Sequence, residues 1–130
     1  MKRCGVGSRR MTGFTVLELL VVLAAMGLLL ALAMPRYIAH LDHAREVALK
    51  HDLRAMREAI DRFRADQMRY PASLGELVAR GYLRALPRDP INERTDTWLF
   101  VTAPGRPDLL TDVQSGAQGR SKEGSAYATW

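Results

Sequence analysis

From Phe14 to Met34 the chain is almost wholly apolar, interrupted only by Thr15, Glu18 and Gly27. As a helix rising ~1.5 Å per residue, this run is long enough to cross the ~30 Å hydrocarbon core of a bilayer. A secretory signal places its cut after the apolar part, behind small residues. No Ala-x-Ala-like site closes this run, and Met34 leads into Pro35 and Arg36. Gly13 instead stands ahead of it, in Met11-Thr12-Gly13-Phe14-Thr15-Val16-Leu17-Glu18. The segment is therefore expected to remain on the mature protein as a transmembrane helix, residues 14–34, behind a basic leader, residues 1–13.

Glu18 is the anomaly in that segment. A carboxylate in a spanning helix costs up to ~3 kcal/mol near the centre and less near an end. One reading lets Glu18 snorkel to water at the interface. The other supplies a cation. A cut after Gly13 would create an ammonium at Phe14, one helical turn away. Between neighbouring molecules the same two charges would set the register of a helical array.

Charge supports the division of the chain. The net charge of +5 resembles a nucleic-acid signal. Lys2, Arg3, Arg9 and Arg10 lie in the first thirteen residues with no acid among them, and the remainder holds 15 basic against 14 acidic residues. That near balance argues against a nucleic-acid groove. The four leader cations, against sparser ones past Pro35, orient the leader to the cytoplasm and the rest to the outside. The single cysteine, Cys4, precedes the apolar run, so it forms no intramolecular disulfide and does not match a lipidation site.

Beyond Pro35 the helical pattern continues to about Gln67. Ile38, Leu41, Leu49, Leu53, Met56, Ile60 and Phe63 fall at three- and four-residue steps and form one apolar stripe. Arg45, Glu46, Arg54, Arg57, Glu58, Asp61 and Arg64 are assigned to the other faces. His40, His43 and His51 lie among charged residues with no evident further ligand, so they read as a solvated face. Ser73 and Glu76 have capping-box spacing and Gly81 is a stop signal, which together predict a short helix. Thr95 to Thr102 reads as a strand apolar on both faces, Pro104-Gly105-Arg106-Pro107 as a turn, and Leu109 to Val113 as a second strand. The Gly- and Ser-rich tail from Gln114 reads as an ordered loop pinned by Tyr127 and Trp130. The fold class expected is α+β: a long N-terminal helix packed on a small antiparallel sheet, with residues 68–130 as the globular part on residues 35–67.

Gly13-Phe14-Thr15-x-x-Glu18 followed by an apolar helix resembles the signature of the type IV prepilin family. Tyr70-Pro71, a short helix, then Tyr82-Leu83-x-x-Leu86-Pro87-x-Asp89-Pro90 and a strand resemble its type II secretion branch, the major pseudopilins. The resemblance spans nearly all of residues 13–130. It implies a pilin-like fold, cleavage after Gly13 by a prepilin peptidase, N-methylation of Phe14, and contact of Glu18 with a neighbouring subunit's N-terminus. Gly27 and Pro35 match the family's helix-weakening positions, and Pro35 lacks a backbone donor. The partners implied are further copies in a filament, the inner-membrane assembly platform of the secretion system, minor pseudopilins and the lipid bilayer. The location implied is the bacterial inner membrane, with the C-terminal domain and filament in the periplasm.

The family pattern near the tail also implies calcium, held by aspartates and backbone carbonyls. This chain reads Asp112-Val113-Gln114-Ser115-Gly116-Ala117-Gln118-Gly119, one residue shorter, with Gln118 where an aspartate is expected. Asp112 and Glu123 remain as candidate oxygen ligands. The alternative function is a minor type IV pilin for adhesion or DNA uptake, which would favour a disulfide-closed loop or a basic patch. An enzyme is not expected. There is no Gly-rich phosphate loop after a strand, no Ser or Cys with a plausible base, and no strong metal-ligand spacing.

Overall fold

The computed structural model describes residue 1 and residues 13–130. The leader residues Lys2, Arg3, Cys4, Arg9 and Arg10 lie outside the described residues. The element order is α1 (Val16–Gln67), α2 (Leu74–Ala79), β1 (Leu99–Ala103), β2 (Arg106–Gln114) and a terminal 3-10 turn, Tyr127–Thr129. This is an α+β arrangement with a long N-terminal apolar helix and a two-stranded antiparallel sheet. The chain divides into two compact units, Met1–Ile38 and Ala39–Trp130.

In the first unit α1 starts at Val16 because Thr15 caps it. The Thr15 hydroxyl accepts from the Glu18 amide at 3.1 Å, and the Thr15 carbonyl from Leu19 N at 3.1 Å. The helical assignment runs through Pro35. Every described residue of this unit is exposed, Phe14 and Leu17 among them. By length and composition α1 contains a stretch able to cross a membrane, with a mean hydropathy of 2.7.

The second unit is organised by the α1 stripe. Leu49, Leu53, Met56, Ala59, Ile60 and Phe63 are buried against Leu74 and Leu77 of α2, Trp98, Leu110 and Val113 of β2, Ala117 and Tyr127. The stripe is shorter than expected, since Ile38 and Leu41 are exposed. Glu46 is a second correction: it lies on the buried face, at the 46–49–53–56–60–63 spacing, and not among the solvated charges.

Ser73 caps α2 by accepting from the Glu76 amide at 3.2 Å. The reciprocal half of the expected box is displaced by one residue, because Glu76 accepts from Ala72 N at 2.8 Å and pairs with Arg69. The Arg69 guanidinium, followed by the Ala72 amide, holds the Glu76 carboxyl below its usual range. Gly81, at φ +82°, ends the helix, with Tyr82 N donating to Leu77 O at 2.9 Å. Pro71 is buried and its carbonyl accepts from Leu110 N of β2 at 2.8 Å, which docks the Tyr70-Pro71 pair on the sheet.

The strands are shifted from expectation. Residues 95–98 are not β1, because Arg94 folds back on Asp96 through two hydrogen bonds of 2.9 and 2.7 Å and makes a local turn. The hairpin loop is tighter than Pro104–Pro107. Ala103 pairs with Arg106, leaving Pro104 and Gly105 (φ +74°) as the bend. Residues 107–109 have no partner across the ladder, where Pro107 has no N–H to donate. β1 is also not buried on both sides: Leu99, Phe100 and Val101 are exposed, and of its apolar cluster only Trp98 enters the core.

Gly116 fixes how the tail leaves the sheet. A Cβ there would stand 1.8 Å from the Thr97 carbonyl oxygen, and the obstacle is backbone. Gly116→Ala is expected to lower stability by about 3 kcal/mol, at the upper end of overpacking effects, measured by denaturant unfolding. A cost under ~0.5 kcal/mol would show that this approach is not a constraint.

Candidate functional site

Two groups of residues bear on function, one in each compact unit. In the first, the Thr15 cap places Glu18 in the opening turn of α1, where the helix dipole favours a negative charge. Glu18 is the only charged residue between Phe14 and Met34. Among the described residues no hydrogen bond or ion pair is made by its carboxylate; its backbone N–H donates to the Thr15 hydroxyl. Phe14, Thr15, Val16, Glu18, Leu19 and Val22 line one shallow groove, largely apolar. Gly13 and Gly27 have open space where a Cβ would stand. The cap thus makes a short polar patch at the head of an otherwise apolar rod.

The second group ties the tail to the globular core. Glu46 Oε1 accepts from the Tyr127 hydroxyl at 2.9 Å and from Lys122 N at 3.2 Å. The Lys122 ammonium donates to the Ala39 carbonyl. Tyr127 meets Trp130 edge to face at 5.2 Å, and the Lys50 ammonium lies 4.4 Å above the Trp130 ring. Asp89 is fully buried; its two oxygens accept from Ile91 N at 2.8 Å and Ser115 Oγ at 2.7 Å. Arg57 Nε donates to Asp112 Oδ1 at 2.7 Å, and its Nη2 to the Val113 carbonyl at 3.0 Å.

These contacts decide the fit of calcium. Asp112 is committed to a guanidinium and to Val113 N, at 2.7 Å each, and Glu123 is exposed. Among the described residues no three of His, Cys, Asp and Glu gather as a metal-holding group. A cation wants several free, hard oxygens and meets here a fixed positive charge. The donor set does not fit calcium. His40, His43 and His51 are exposed, and His51 lies 3.5 Å from Asp52. Sequence reasoning missed Glu46, Arg57 and Asp89. Glu46 had a signal, its position on the apolar spacing. Asp89 stood in the Leu86-Pro87-x-Asp89-Pro90 motif without a role assigned to it, and Arg57 had no signal, since its partners are distant in sequence.

Burial, then the hydrogen bond to the Glu46 carboxylate, raises the Tyr127 phenol above its ordinary value of ~10. A raised folded-state value means the proton is held more tightly in the folded chain. That stability is complete below about pH 10 and is lost as pH climbs through the raised value. Tyr127→Phe is therefore expected to flatten part of the alkaline loss of stability, read from melting temperatures between about pH 9 and 11. Identical alkaline slopes would mean that Tyr127 is not a contributing group.

No family model matches the chain, and no solved structure matches it significantly. Curated relatives do. The chain is similar to the type II secretion system core protein G of Pseudomonas aeruginosa, at 29% identity over 94% of this chain and 96% of that protein. The protein of the same name from Vibrio cholerae is 27% identical over 94% of this chain and 93% of its own length. The Klebsiella pneumoniae protein of that name is 33% identical over 63% of this chain and 70% of its own length. With an exposed apolar helix leading into an α+β unit, and relatives matched across both, the chain belongs to the type II secretion system core protein G family, the major pseudopilins.

Proposed function

We propose that this chain is a structural subunit of a type II secretion pseudopilus. It is cut between Gly13 and Phe14 by a prepilin peptidase, N-methylated on Phe14, and held in the inner membrane by residues 14–34. The N-terminus faces the cytoplasm and the globular part the periplasm. Copies polymerise from the inner-membrane assembly platform, with minor pseudopilins, into a periplasmic filament that helps move folded proteins across the outer membrane. The subunit does this by packing and not by catalysis. Gly27 and Pro35 weaken the helix locally and let it adapt between bilayer and filament.

The observation that carries this reading is Glu18: a lone carboxylate, one turn from Phe14, on a helix segment that buries nothing against its own chain. Two surroundings can cover such a helix, lipid and other copies. Lipid tails offer the carboxylate no partner, and in the bilayer it reaches only interfacial water. A neighbouring copy cut at Gly13 offers the Phe14 ammonium.

Two measurements test the proposal. Mass spectrometry of the mature chain is expected to give an N-methylated N-terminus at Phe14, and a charged residue in place of Gly13 to block processing. Chains beginning between residues 35 and 45 would instead establish an ordinary secretory signal. For Glu18→Ala, membrane level and processing should be retained while sheared filaments and export are lost. Removing one partner of a buried pair costs about 3–5 kcal/mol per contact, repeated along the filament. Glu18→Asp should fall between, since its carboxylate reaches less far. Normal filaments and export from a fully processed Glu18→Ala chain would sink the pairing.

A further inference from the structure

The calcium implied at the tail by family resemblance meets a chain whose tail is already tied down by its own side chains. Three side chains from two segments, α1 and the loop before β1, engage the tail. Arg57, from α1, holds the Asp112 carboxylate and the Val113 carbonyl. Asp89, from the loop before β1, holds the Ser115 hydroxyl, which in turn accepts from Ala117 N at 3.1 Å. Glu46, from α1, holds Tyr127 and Lys122. Between these anchors Gly116 lies flat on Thr97, and Ser121 and Ser125 close the remaining turn, with Ser121 N donating to Ser125 O at 2.8 Å.

A divalent cation in a loop does two things. It neutralises converging oxygens and ties distant backbone segments together. Here the first need is met by the Arg57 guanidinium and by neutral donors on Asp89 and Glu46. The second is met because the anchors come from residues 46, 57 and 89 and reach residues 112–127. No buried side-chain oxygen or nitrogen among the described residues lacks a partner, and the oxygens left open near the tail, Asp112 Oδ2 beside the Arg57 guanidinium and the exposed Glu123, are fewer than the roughly six to eight a calcium ion takes. The departure at Gln118 agrees: the residue is exposed, and nothing in the closure calls for a charge there.

We infer that the tail of this chain is closed by the Glu46, Arg57 and Asp89 anchors in place of a divalent cation, so that its folding is independent of calcium. Glu46 and Tyr127 are positioning residues that fix the tail on α1. Granted the filament reading above, assembly and export by this subunit would likewise withstand calcium depletion.

The test uses the full chain in detergent micelles, with thermal unfolding followed by the fluorescence of Trp98 and Trp130. Melts in excess chelator and in millimolar calcium should coincide within about 1 °C. Glu46→Met, which keeps length and removes the acceptor, and Tyr127→Phe, which keeps the ring, should each lower the midpoint by about 4–8 °C. The double variant should fall by less than the two together, because both break one contact. Glu46→Gln, which keeps an acceptor oxygen, should recover part of the loss. A midpoint that drops in chelator would overturn the inference, as would strictly additive losses. Neither result bears on Glu18, so the filament reading stands or falls separately.

Discussion

The globular unit depends on one face of one helix. Residues 46, 49, 53, 56, 60 and 63 of α1 project at alternating three- and four-residue steps, and five of the six are apolar. Each buried large side chain removes surface worth about 1.5–3 kcal/mol from water. No other element in the unit carries as much buried apolar surface. α2 has six residues and gives Leu74 and Leu77; the sheet has two strands and gives Leu110 and Val113. Neither would persist without the helix, since a two-stranded sheet is marginal alone and a six-residue helix does not pay its nucleation cost. The helix is thus the template, and the later segments are laid against it in turn: Tyr70-Pro71 through Leu110, the Leu86-Pro87 loop through Trp98, and the tail through Glu46.

That dependence explains which expectations held. The helix, its stripe from Leu49 onward, the Ser73 cap, the Gly81 stop and the order helix–strand–strand were all legible, because each rests on spacing or on local chemistry within four residues. The strand boundaries were less so. Trp98-Leu99-Phe100-Val101 carries strand propensity without alternation, and period alone cannot say which residues face a core when only one side is covered. Only Trp98 is buried, because its indole reaches the Pro87 carbonyl at 2.9 Å, a contact across eleven residues. The Arg94–Asp96 fork that delays the strand is a two-residue motif with no strong sequence signature.

The tail was hardest to read. Its resemblance to a calcium loop lies in short residues, while its closure lies in residues 46, 57 and 89, at separations from 26 to 81 in sequence. Glu46 is the instructive case. A charge on an apolar spacing is a better clue than a charge on a solvated face, because burying a carboxylate without partners is too costly for it to be incidental. On that ground the heptad-like position of Glu46 called for a donor elsewhere in the chain, and Tyr127 and Lys122 supply it.

The same rule sorts every carboxylate in the chain that carries weight. Asp89 and Glu46 are buried and satisfied by neutral donors of their own chain. Asp112 and Glu76 are partly buried and satisfied by guanidinium groups of their own chain. Asp96 and Asp108 are exposed and pair with nearby arginines, where water screens the charge and the pair contributes little. Glu18 fits none of these classes. It stands on the most apolar segment of the sequence, where an unpaired charge is most expensive, and among the described residues its carboxylate has no partner. On the proposed filament reading, a chain that satisfies its other costly carboxylates internally and leaves this one open would complete it from outside, through the N-terminus of another copy.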